Sequence, residues 1–317
     1  MSARRLALFV ARRLLALVVL LLVLSFAIFS LLALAPGSPE RSLLGTRPAT
    51  PETLAEIRSQ YNLDKPFLTQ YAIWLKNATR LDFGESIQNQ QRVKDLLEQR
   101  VGVSLRLIGL AFAIAVVFGV ALGVAAAVRA ETILDRSIVA ATIVGVSAPA
   151  FVSGLILLYV FALQLGWFPA VGASGNLGDY VLPAVALALG MMALITRVAR
   201  AGMRRELSRD HLTFARARGL SRAHVLLVHG VRNALIPVLT SAGLVFSLML
   251  GGSLLVETVF SLQGVGSLLV GATLTSDFPV VQGLALLLAV VIVVMNLLVD
   301  LSYLLLDPRV RFERARA

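Results

Sequence analysis

The chain has 317 residues, 58% of them hydrophobic and only 15% charged, a balance that excludes an ordinary soluble domain. It contains no cysteine, which excludes disulfides, thiolate metal sites, iron–sulfur clusters and cysteine nucleophiles. The formal net charge of +11 rests mostly on Arg placed beside apolar runs, the pattern of orientation signals in a bilayer rather than of a nucleic-acid surface.

Leu14 to Ala35 carries no charge for 22 residues and lies behind Arg4, Arg5, Arg12 and Arg13. At 1.5 Å per residue such a run covers ~33 Å, enough for a hydrocarbon core of ~30 Å. It reads as a first span rather than a signal peptide, because it is longer than a usual apolar region and "APGSPE" makes a weak cleavage site. Residues 36–100 then hold nine basic and eight acidic residues. Within them "PETLAEIRSQY" has Pro51 with acids behind it, "FLTQYAIWLKN" carries aromatics on one face, and "RVKDLLEQR" leads into the next apolar run. This segment reads as a cap of small helices.

Leu107 to Val128 is a second uncharged run of 22 residues. Between Arg136 and Asp179 lie 42 uncharged residues, of which Ser137 to Leu165 read as one long span and Gly166 to Gly178 as a Gly-rich loop. Tyr180 to Thr196 covers only ~26 Å and borrows a turn from the Arg-bearing segment behind it. Asn233 to Val256 and Phe278 to Val299 add uncharged runs of 24 and 22 residues. The expected fold is an all-α integral membrane protein with six spans. Placing residues 1–13, 129–137, 197–232 and 307–317 in the cytoplasm gives those segments 19 of the 29 Lys and Arg against six acids, so both termini are expected inside.

The chemistry the chain lacks narrows its function. No Gly precedes any of Lys65, Lys76 and Lys94, so no phosphate-binding G-x-x-x-x-G-K-[ST] is present. His211, His224 and His229 form no H-E-x-x-H and have no acid cluster beside them, so no metal or cofactor is expected on this chain. "GASG" at 172–175 matches the serine motif of rhomboid intramembrane proteases, but Ser174 falls in a polar loop and every His falls on the opposite side, so a turn is the better reading. A coupled carrier needs paired ionisable groups near the midplane. Arg106 and Asp300 lie near span ends, where they serve as interfacial anchors. A passive channel stays open on composition alone.

Residues 197–232 carry nine Arg, and burying them in hydrocarbon would cost over ~20 kcal/mol. The segment must stay in water, yet it is ordered by pattern. Asp210 is a candidate N-cap, His211 to Arg218 make about two turns, Gly219 can end them as a left-handed residue, and Ser221 can cap a second helix. Leu212 and Phe214 are two apart and point to different sides, with Ala215 and Ala217 as small neighbours and Arg216 and Leu220 completing the stretch. That suits a short helix packed on its own protein on one side and on a partner on the other, better than a helix lying on headgroups.

The stretch "ARARGL" at 215–220 followed by "HGVRNALIP" at 229–237 resembles the cytoplasmic EAA loop of ATP-binding-cassette (ABC) importer permeases, in the dipeptide, oligopeptide and nickel group. The acid that opens the general EAA consensus is missing, so contacts attributed to that Glu do not carry over. "LDKP", "LDFGES", "SAPAFVSG", "LGWFPAVG", "VETVFSLQGVGSLL", "DFPVVQG" and "DLSYLLLDPRVR" occur in the order and spacing of the first permease subunit of these importers.

The resemblance implies a six-helix type I importer transmembrane domain in a bacterial or archaeal cytoplasmic membrane. It implies a homologous second permease, two cytoplasmic ABC ATPase subunits or domains that bind the ATP and Mg, and an extracytoplasmic solute-binding protein. On this resemblance residues 1–35 are the N-terminus and first span, 36–100 the extracytoplasmic cap, 101–306 the permease core with an EAA loop at about 201–237, and 307–317 a cytoplasmic tail. His211, Leu212, Phe214, Ala215, Arg216, Ala217, Arg218, Gly219, Leu220 and Ser221 become the ATPase-coupling segment, and Ser147, Pro149, Phe151, Ser247 and Glu257 the candidate pathway. The group imports di- and oligopeptides, nickel chelates, glutathione and other solutes, and no His or acid lines the spans as a metal selector, which puts peptides first.

Overall fold

A computed structural model describes residues 3–34, 38–45, 47–171, 176–210, 214, 218, 219, 221 and 224–306. Among these the regular elements are helices: α1 (Ala3–Leu34), α2 (Pro39–Ser42), α3 (Pro51–Gln60), α4 (Phe67–Ala78), α5 (Val93–Val128), α6 (Ile133–Ser147), α7 (Ala150–Leu157), α8 (Gly178–Leu207), α9 (Arg232–Val259), α10 (Val265–Leu274) and α11 (Phe278–Leu306). Two π-helical stretches, Leu158–Gln164 and Val225–Val231, follow α7 and precede α9. Five helices are long and apolar enough to cross a bilayer, and α6 with the α7 segment makes a sixth when that bent pair is taken as one span.

Ser137 to Leu165, expected as one long span, is a bent pair of helices. The helix breaks after Ser147 and its two halves meet at 103°. Pro149 has no N–H to offer the Gly145 carbonyl, and its ring pushes the preceding Ala148 out of the helical region to φ −86°, ψ 122°. The fourth span is longer than its apolar run because α8 continues through Arg197, Arg200, Arg204 and Arg205 to Leu207.

The chain divides into two compact units, Met1–Ser104 with Gln263–Val294, and Leu105–Leu262 with Met295–Ala317. In the first, Thr50 caps α3 by accepting from the Thr53 N–H at 3.2 Å. Phe67, Tyr71 and Trp74 recur at helical spacing along α4 and meet Phe26 and Phe29 of α1, with ring centroids 5.2 Å apart for Phe26 and Tyr71 and 5.5 Å for Phe29 and Trp74. Val93, Leu96, Leu97, Val265, Val280 and Leu284 form the buried core. Ser104 Oγ accepts from the N–H of Val265 at 2.8 Å, which pins the start of α10 to α5.

The second unit is built around α8, which packs against α6, α7 and α9. Gly119 and Gly123 of α5 lie one turn apart against the same helix. A Cβ on Gly119 would come within 2.8 Å of Ile195 Cβ, and one on Gly123 within 2.7 Å of the Thr196 carbonyl oxygen. This is the small-xxx-small logic of helices that associate in lipid.

The ends of α3, α4, α5, α9 and α10 share one device. Asn62, Leu81, Glu131, Ser261 and Ser276 adopt left-handed backbones without being Gly. At four of these ends the next N–H reaches back five residues, as in Leu63 to Arg58 at 2.9 Å and Asp82 to Asn77 at 3.0 Å.

Candidate functional site

The segment between α8 and α9 begins where α8 stops being apolar. Arg204 and Arg205 occupy its last turn, as suits the negative end of a helix. Asp210 is already helical rather than standing before the helix as a cap. Phe214 is helical and 69% exposed. The Arg218 N–H donates to the Phe214 carbonyl at 3.0 Å, closing a helical turn. Gly219 follows at φ +80°, and a Cβ there would meet nothing within 4 Å, so only the backbone conformation selects Gly. Ser221 Oγ then accepts from the His224 N–H at 3.3 Å and opens the helix that becomes α9. Arg218 and Ser221 are exposed. His211, Leu212, Ala215, Arg216, Ala217 and Leu220 lie outside the described residues, as does Ser174 of "GASG".

The geometry is therefore a helical turn carrying an exposed aromatic, a left-handed corner, and a second helix running directly into a span. A large exposed aromatic on a basic surface does no catalysis. It can fill a groove on another protein.

Two polar fixtures at the base of this segment escape a reading of the sequence. Glu206, 4% exposed near the end of α8, accepts through Oε1 from Asn233 Nδ2 at 2.8 Å and pairs through Oε2 with Arg209 Nε at 3.3 Å. Asp135 on α6 receives a two-point contact from Arg200, Nε to Oδ1 at 2.6 Å and Nη2 to Oδ2 at 2.7 Å, and also accepts from the Glu131 N–H at 3.0 Å. Asp135 and Asn233 each stand beside an Arg in the sequence, which does not set them apart from other polar residues, so no local signal marks either pair.

The pathway candidates fall at different depths of packing. Ser147, Pro149 and Phe151 cluster at the broken helix and are exposed. Ser147 Oγ donates to the Ile143 carbonyl at 2.8 Å and Ser247 Oγ to the Gly243 carbonyl at 3.0 Å, so each hydroxyl is bonded to its own helix. Glu257 is fully buried. The Gly154 site on α7 lies against Phe260, 3.1 Å from where a Cβ would stand, so α7 and the end of α9 are in close register. Among the described residues no three His, Asp or Glu gather as a metal site.

The family described as "Binding-protein-dependent transport system inner membrane component" matches residues 119–312, and its N-terminal counterpart matches residues 6–108. A Brucella abortus protein named as a peptide transport system permease is 38% identical over 300 residues, covering 92% of this chain and 95% of that one. A glutathione transport system permease protein of Escherichia coli is 37% identical over 305 residues, covering 96% and 99%. Among solved structures, an amino acid ABC transporter crystallised with histidines superposes with a TM-score of 0.51 at 20% identity, over 65% of this chain and 92% of that chain. At that identity the likeness speaks for the fold.

Proposed function

Because this chain belongs to the family of inner membrane components of binding-protein-dependent transport systems, we propose that it forms one half of an import path for di- and oligopeptides. It is a multi-pass ABC importer permease and works with permease, ATPase and substrate-binding components. The observation that carries the peptide reading is the near full-length match to permeases named for peptides and for glutathione, itself a tripeptide. The same machine importing nickel chelates, glutathione itself or another small solute is the alternative.

In this reading a homologous second permease completes the path, and an extracytoplasmic binding protein delivers solute to the cap at 36–100. Residues 1–35 hold the first span, 101–306 the core and 307–317 a tail, with both termini in the cytoplasm, as the excess of Lys and Arg in the corresponding loops supports. The turn ending at Arg218, from His211 onward, docks in a cytoplasmic ATPase, with Phe214 as its anchor and Gly219 setting its angle. ATP and Mg belong to the ATPases. ATP-driven closure of those subunits draws the docked segments together, and α8 and α9 carry the movement to the path, where Ser147, Pro149, Phe151, Ser247 and Glu257 are the residues proposed to sit.

The test is reconstitution of both permeases, the ATPases and the binding protein in vesicles. Uptake of a labelled tripeptide that needs all four components and internal ATP supports the proposal. Uptake of nickel chelates in preference to peptides favours the alternative. Hydrolysis of ATP by this chain alone would overturn the division of labour.

A further inference from the structure

We infer that Glu206 and Asn233 are positioning residues, forming a clasp that makes the ends of α8 and α9 move as one body when the segment between them is pushed. The inference rests on the coupling role proposed for that segment.

The segment leaves α8 after Leu207 and returns as α9 at Arg232. A loop of that length, displaced at its tip, could open at its base and dissipate the movement. Three features close the base. Gly202 brings α8 so near α9 that a Cβ would stand 3.0 Å from the Ala234 carbonyl oxygen and 3.5 Å from its Cα. A Cβ on Gly230 would likewise stand 2.8 Å from Met203 Cε, and Met203, Ala234 and Ala127 form a buried cluster with Leu207, Leu226 and Val231 around it. None of these contacts is a directional bond, and they hold the helices together without fixing how far one has slid along the other. The Glu206 to Asn233 hydrogen bond is directional and supplies that register.

Its chemistry suits the task. The acceptor is a carboxylate with 4% of its surface exposed, so stretching the bond would strip a buried charge of a donor, which is costly. The donor reaches in from an exposed position on α9. Arg209, another partner of Glu206, lies on the departing chain and ties the first residues of the segment to the same carboxylate.

The experiment uses the full complex in vesicles, with spin labels on cysteines replacing Arg205 and Arg232, both exposed, in a chain that has no native cysteine. In the unaltered background the distance between labels should stay narrow and the same with and without ATP. Two clasp variants are compared. E206Q keeps an acceptor oxygen for Asn233 and should preserve the narrow distance and the wild-type ratio of tripeptide taken up per ATP hydrolysed within about twofold. The double variant E206L with N233L removes the bond and, with it, the Arg209 pair that E206Q also weakens. It should assemble, broaden the distance by several ångströms on adding ATP, and lower transport per ATP by about tenfold while hydrolysis continues.

A narrow distance in the double variant overturns the clasp, and so does E206Q behaving like the double variant, which would assign the effect to charge or folding. Loss of transport and hydrolysis in equal proportion, with unassembled subunits, likewise overturns it. Failure of the unaltered complex to take up the tripeptide counts against the peptide function alone, because the distance measurement does not need a substrate.

Discussion

Ser86 and Asp277 are 191 positions apart in the chain, and the Ser86 hydroxyl donates to Asp277 Oδ2 at 2.5 Å with both residues only 2% exposed. The Ile87 N–H reaches Oδ1 at 3.2 Å, and Ser86 Oγ in turn accepts from the Asn89 N–H at 2.9 Å. One carboxylate thus organises a turn of the cap against the residue that precedes α11. Asp277→Ala should destabilise the first unit by about 1–3 kcal/mol, the cost of leaving buried donors unpaired. Protease sensitivity of residues 84–92 in the purified membrane protein checks this, and unchanged cleavage would mean that the turn is held by other contacts.

The Gly119 and Gly123 pair makes a second prediction. Valine at either position places carbon within 2.7–2.8 Å of α8 and should cost ~1–3 kcal/mol by overpacking. Gly109→Val, on the same helix with nothing within 4 Å of a Cβ, is the control and should leave the detergent thermal midpoint nearly unchanged.

Leu81 stands at φ +59° and is 54% exposed, so it pays for a left-handed backbone without burying its side chain. Leu81→Gly should raise the stability of the cap by about 1 kcal/mol. Leu68→Gly, inside α4 and 70% exposed, should lower it by about as much. Thermal unfolding followed through Trp74 would separate the two signs.

Breaking the Asp135 and Arg200 pair by Asp135→Ala leaves a guanidinium at the α6 to α8 contact without its carboxylate and should lower the thermal midpoint clearly. The exchange of D135R with R200D should recover part of the loss, though not the part due to the Glu131 N–H, which needs an acceptor on α6. A midpoint unaffected by Asp135→Ala would show the pair to be idle.

Gly219→Val should cost roughly 1–2 kcal/mol of backbone strain at the corner, whereas Gly219→Asn, which tolerates that region, should cost much less. With Phe214→Ala, Ala215→Glu and Ala217→Glu, the valine variant is expected to insert in the membrane normally and then lose its ATPases or hydrolyse ATP without transport. Wild-type import by all four would remove the docking role from this segment.

Topology is checked with single cysteines. Lys76 on α4 and Ser208 after α8 are both exposed and suit this purpose. Impermeant maleimide should label Lys76→Cys from outside and Ser208→Cys only after permeabilisation, and the reverse would invert the orientation.

What could be read in the sequence was what depends on neighbours in the chain. The apolar runs located the spans, the i, i+4, i+7 aromatics of α4 found their shared face, and a Gly between a helical pattern and Ser221 marked the left-handed corner at Gly219. What escaped was set by partners far away. The short apolar run of the fourth span implies that α8 extends into the Arg-bearing segment, but not that it reaches Leu207 with Arg200 on Asp135 and Glu206 on Asn233, pairings that no local pattern announces. Pro149 was visible, yet an apolar run of that length masks a break, since hydropathy is blind to a missing N–H.

That break bears on how the protein is made. Fifteen residues of α6 span only ~22 Å, less than a hydrocarbon core of ~30 Å, and the Gly145 carbonyl has no donor at the fourth residue on. In the folded chain that carbonyl lies beside Gly190 of α8, 3.3 Å from where a Cβ would be. At ~5–20 residues per second, α8 is finished ~3–10 s after α7 leaves the ribosome. For that interval the third apolar segment lacks the helix against which both of its halves pack in the folded chain. Bulk introduced at Gly190 should therefore show first in living cells, as newly synthesised chain cleared by membrane proteases, before any assay of transport has material to measure.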